Sequence, residues 1–233
     1  MNPARWCSLA ALLTGLGVVA VSAVFIAWHL PTVQPLQGAY GDQSMLAFEL
    51  AHTPAELARV IGTDPPSAAA VQVRHELDRA NYLDFLYIAL YAPFIAWSCA
   101  GLALRRGRRW LWLGALLAPL AALFDVFENL ALLALTRGGG DTTSLLAALH
   151  FRTFAKWELL AATSALFAAG FIGGTRRGVS VLAGLVALAA VAAGILTAVD
   201  SASFLTLLVD AIVVVWVWQL GYAGAAVFGA MRR

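Results

Sequence analysis

Residues 123–130 read Leu-Phe-Asp-Val-Phe-Glu-Asn-Leu, in the middle of an apolar run of membrane length, 110–136. Positions three and four apart share one helical face, so Asp125, Glu128 and Asn129 point the same way. An acid at the centre of a bilayer helix costs about 2.5–3.5 kcal/mol on insertion scales. Two acids on one face therefore need partners or a water-filled recess, and groups of this kind mark ligand sites, relays or ion paths.

The chain around this run has the same membrane character. It is 61% hydrophobic and 12% charged, with a mean hydropathy of +0.81, whereas soluble domains carry about 25% charged residues. The apolar runs are continuous and rich in Ala and Leu, unlike the alternating segments of a transmembrane barrel. The fold class is all-α, a polytopic transmembrane protein. About 20 apolar residues cross a bilayer, and six stretches qualify: 7–30, 82–104, 110–136, 154–174, 179–199 and 204–230. The breaks between them carry Pro, Gly or Arg clusters. The whole chain, 1–233, reads as a single membrane domain with a long external loop at 31–81.

Arg and Lys distribution sets orientation. With the N-terminus inside, Arg5, Arg105, Arg106, Arg108, Arg109, Arg176, Arg177, Arg232 and Arg233 all face the cytoplasm, unaccompanied by any acid. Asp42, Glu49, Glu56, Asp64, Glu76, Asp78 and Asp141 then fall on the opposite face. An even number of spans places both termini in the cytoplasm. Val21-Ser22-Ala23 has the small residues of a cleavage site, but the apolar run is longer than the 7–15 residues of a signal-peptide core, so an uncleaved helix is expected. The arginine loops meet anionic lipid at the inner interface, and nucleic acid is not an expected partner. The Ala- and Arg-rich, nearly Lys-free composition suggests a high-GC bacterium, whose inner (plasma) membrane is then the expected location.

The external loop has its own order. Thr53-Pro54-Ala55-Glu56 is a capping box with Pro at the first helical position. It opens a short helix to Ile61, with Leu57, Val60 and Ile61 as its apolar edge, stopped by Gly62. This helix reads either as a lid on the outer rim or as an amphipathic helix resting at the interface. Ser67 caps a second helix that runs on into the second span.

Other polar groups fall at the same depth as the central acids. Asp84, Tyr87 and Tyr91 line one face of the second span at 100° per residue. Lys156 and Arg152 enter the fourth span from outside, and Asp210 lies about two turns into the sixth. The simplest arrangement is an outward-open polar cup: Asp84, Tyr87, Tyr91, Asp125, Glu128, Asn129, Lys156 and Asp210 form the ligand-binding set, with Lys156 or Arg152 as counter-charge. The same groups could instead serve as polar glue between helices.

Three functional classes remain open. The first is a binding protein for a small polar or lipid-headgroup ligand, or a support for an envelope complex with a membrane-protein partner or a second copy of itself. The second is an enzyme of lipid or isoprenoid chemistry, with Asp125 or Glu128 as general acid/base and Lys156 stabilising an anion. The third is a proton-coupled carrier, which an uncharged inner half disfavours. No metalloprotease, Walker, nucleophile-elbow or zinc spacing occurs, and no cofactor is implied. Cys7 and Cys99 match no redox spacing. His29, His52, His75 and His150 are dispersed on the outer face without an i, i+4 pair, so no metal site is expected.

The stretch Phe48 to Gly62, together with 83–91, 123–130 and Ala155-Lys156-Trp157-Glu158-Leu159-Leu160, resembles a bacterial family of small multipass membrane proteins that has no assigned activity. The resemblance spans roughly residues 46–165. It implies the same fold and puts Asp84, Asp125, Glu128, Asn129 and Lys156 at the family's motif positions, without implying a reaction.

Overall fold

The structure is a computed structural model that describes residues 2–39, 41–63, 66–172, 177–199 and 201–229. The expected turn signals at Asp64-Pro65, 173–176 and Asp200, and the terminal Arg232 and Arg233, lie outside the described residues. The protein is all-helical, with 81% helix and no strand among the described residues. In order, the helices are α1 Pro3–Ala27, α2 Met45–Glu49, α3 Pro54–Ile61, α4 Ala68–Arg106, α5 Leu111–Thr136, α6 Thr142–Ala169, α7 Arg177–Val199 and α8 Ser201–Val227.

Among the described residues, four helical stretches are long and apolar enough to cross a membrane: Pro3–Ala27, Ala68–Arg106, Leu111–Thr136 and Leu207–Val227. Of the other two expected spans, α6 starts at Thr142, well before position 154, and carries Arg152, Lys156 and Glu158 in its middle. α7 is a helix of 23 residues, with Gly178–Ala192 as its continuously described apolar stretch. α4 has 39 residues, about 58 Å at 1.5 Å per residue, nearly twice the ~30 Å of a hydrocarbon core. Ser67 caps it, its hydroxyl accepting from the Ala70 amide at 3.2 Å. The outer part of the expected loop is therefore the first third of a continuous helix.

The chain divides into two compact units: Met1–Val18, Leu90–Ala122 and Lys156–Arg233 in one, Val19–Ala89 and Leu123–Ala155 in the other. α1, α4, α5 and α6 contribute a segment to each.

The second unit has its own apolar core. Leu57, Val60 and Ile61 of α3 and Met45 and Phe48 of α2 pack with Val73 and Leu77 of α4, Leu132 and Leu135 of α5, and Leu146 and Leu149 of α6. The amphipathic edge of α3 thus covers protein, which favours the rim position over a helix resting on lipid. The cap is as read: Thr53 accepts from the Glu56 amide at 3.2 Å, and the Glu56 carboxylate accepts from the Thr53 amide at 3.1 Å. At the other end Gly62 takes φ 77°, a conformation only Gly adopts without strain. Arg74 closes this end. Its guanidinium donates to the carbonyls of Ile61 at 2.9 Å, Gly62 at 3.4 Å and Thr136 at 3.4 Å. One side chain on α4 thereby ties down the last carbonyls of both α3 and α5, which have no partners within their own helices.

The first unit packs by close backbone approach. A Cβ on Gly15 would lie 2.8 Å from Leu220 and Phe94, one on Gly114 2.8 Å from the Cys99 sulfur, and one on Gly170 2.6 Å from Leu102. Gly221 of α8, by contrast, faces open space. Trp216 and Trp218 lie on different sides of α8, and each has ring partners. Trp216 stacks on Tyr91 at 5.5 Å, and Trp218 packs on Phe171 at 4.7 Å.

Candidate functional site

Spacing on α5 delivers the three polar groups of the opening stretch to one side. Asp125 is 5% exposed, Glu128 fully buried and Asn129 1% exposed, while Phe127 and Leu130 on the opposite side are exposed. Glu128 lies eight residues before the end of α5 at Thr136, or about 12 Å along the axis, so the acids belong to the end of α5 that meets the loop core.

α4 meets them inside the same unit. The Asn129 amide donates to the Asp84 carboxylate at 2.7 Å. The Asn81 amide, fully buried, donates to the Asn129 carbonyl at 3.4 Å. The Tyr87 hydroxyl shares a hydrogen bond with Ser22 of α1 and lies within electrostatic reach of Asp84 and Asp125. Its ring meets Phe25 edge-on at 5.9 Å. Toward the loop, Thr136 donates to Asp78 at 2.6 Å. Three helices thus converge on a cluster rich in hydrogen-bond acceptors: Asp84, Asp125, Glu128 and a phenol, cross-linked by Asn129. Such a set suits a ligand that donates, such as a hydroxyl-bearing or amine-bearing group.

The remaining members of the expected cup are placed differently. Tyr91, Lys156 and Asp210 belong to the other unit. Tyr91 is buried against Trp216. Lys156 is 4% exposed, with its ammonium 4.8 Å from the Trp157 ring centre. Asp210 is exposed on α8. Arg152, one of two counter-charges considered, donates to the Phe127 carbonyl at 2.9 Å and lies over the Phe127 ring. Its charge faces the exposed side of α5.

Sequence reasoning missed Asn81 and Ser22. Asn81 lies three residues before Asp84, on the face already identified, but beyond the assumed start of the second span. Ser22 offered no signal, since a lone serine in an apolar helix usually bonds its own backbone.

No known protein family, curated protein or solved structure matches the chain.

Proposed function

We propose that this is a six-span protein of a bacterial inner membrane, with both termini cytoplasmic, whose cluster around Glu128 holds a small polar ligand or lipid headgroup entering from the outer side. The observation that carries this reading is the convergence of Asp84, Tyr87, Asp125, Glu128 and Asn129 in one unit with the polar loop. Acids cost several kcal/mol in an apolar helix, and register alone needs fewer of them. Carboxylates and a phenol in one place favour a headgroup or solute bearing hydroxyls or an amine. Supporting a membrane complex is the same reading with a protein donor in place of the headgroup.

The test is native mass spectrometry of the full-length protein released from bacterial-lipid nanodiscs. Wild type is expected to retain a bound small molecule or lipid that the Asp125→Asn/Glu128→Gln double variant loses while keeping its helix content. Identical bound species in both proteins would refute the reading.

A further inference from the structure

The fold brings together two histidines that are 98 positions apart in the sequence. His52 precedes the capping box of α3, His150 lies on α6, and their ring centres are 5.9 Å apart at an interplanar angle of 53°. Both rings are exposed, and both belong to the second unit. Two imidazoles on one tetrahedral ion, with metal–nitrogen bonds of about 2.0–2.1 Å, have ring centres roughly 5.2 Å apart. Closing the difference takes less than 1 Å of movement by exposed side chains.

The surroundings of His52 favour the same role. Its Nδ1 lies 3.2 Å from the Glu56 carboxylate and 3.2 Å from the Leu50 carbonyl. With two acceptors facing it, Nδ1 carries the proton, which leaves the lone pair on Nε2. A carboxylate that orients a histidine in this way is the usual outer support of a metal-bound imidazole. Glu56 is itself held by the amides of His52 and Thr53 at 3.0 and 3.1 Å. The capping box that starts α3 therefore also fixes the tautomer of His52. His150 also packs against the Phe154 ring at 4.6 Å. One turn further along α6, Thr153 donates to the Glu49 carbonyl at 3.3 Å, so this part of α6 already contacts the loop.

We propose that His52 and His150 form a binding site for a divalent transition cation of the zinc, nickel or copper type, which clips the external loop to α6. Imidazole suits these ions. Among the described residues no group of three or more His, Cys, Asp or Glu side chains stands ready to hold a metal. Water fills the remaining coordination positions, and the site is accordingly open and of modest affinity. An ion here binds only the packed loop, so it stabilises that arrangement by mass action.

The test uses the purified full-length protein in detergent, with zinc and nickel chlorides as probes. Titration calorimetry is expected to show one saturable site per chain. Proteolysis within 41–63 should slow at least threefold at saturating metal. His52→Ala and His150→Ala should each abolish both effects, whereas His29→Ala/His75→Ala should leave both intact. Each single variant must melt as wild type does without metal, and His150→Gln replaces any that does not. Binding that survives in the His52→Ala/His150→Ala double variant, or no saturable binding up to 1 mM metal, would overturn the proposal.

Discussion

At the scale of single residues, the decisive fact is where amides and acids meet. Asn129 links the α5 face to Asp84 of α4 through a hydrogen bond of 2.7 Å. Replacing it with leucine removes the donor and leaves an acid beside an apolar side chain. Asn129→Leu is expected to destabilise the protein by ~1–3 kcal/mol, read as a lower denaturation midpoint in detergent. Asp84→Asn should be milder, because an amide can still accept from Asn129. Equal losses in the two variants would mean that the bond contributes little. The α5 triad was legible from the sequence because its residues share one helix and one periodicity. The partners on α1 and α4 were less so, since periodicity orders residues within a helix but does not say which helices touch.

At the scale of elements, α3 shows how much a short helix can depend on its ends. Its eight residues are too few to be stable alone. The capping box, Gly62 and the Arg74 clamp supply what its length does not. Loss of the Thr53 hydroxyl typically costs about 0.5–2 kcal/mol, so Thr53→Ala should speed proteolytic cleavage within 41–63. Glu56 adds a pH dependence. The His52 amide, with further help from the His52 ring and Thr53, holds its carboxyl below the usual carboxylate range. A folded-state pKa below the unfolded one gives stability that is full above the ordinary value of about 4.3 and fades as the pH falls through the lower folded value. Loop protection should therefore be constant from pH 7 to 5 and decline below 4, and Glu56→Gln should flatten that decline. This element was readable in advance almost to the residue, because capping and stop signals are local chemistry. Where α3 lies was not readable, because its apolar edge suits lipid and protein equally.

At the scale of the whole molecule, the proposed six-span topology makes a direct prediction. Gly139→Cys, beyond α5, should react with a membrane-impermeant thiol reagent added outside intact cells. Gly107→Cys, in the arginine-rich turn between α4 and α5, should react only after permeabilisation. Cys7 and Cys99 are both buried and make little background. Labelling from the same side would require a different number of crossings. The apolar runs and arginine clusters determined the all-helical class by themselves, because the bilayer imposes length and charge rules that act on local sequence. Those rules also singled out Asp125, Glu128 and Asn129. Local signals also joined the helix capped by Ser67 to the second span, as α4 shows. Only the tertiary structure decided that α3 covers protein. It also decided that Asp210 is exposed and that His52 approaches His150. Each of these depends on contacts between segments distant in the chain, and a helix's own periodicity carries no record of its neighbours.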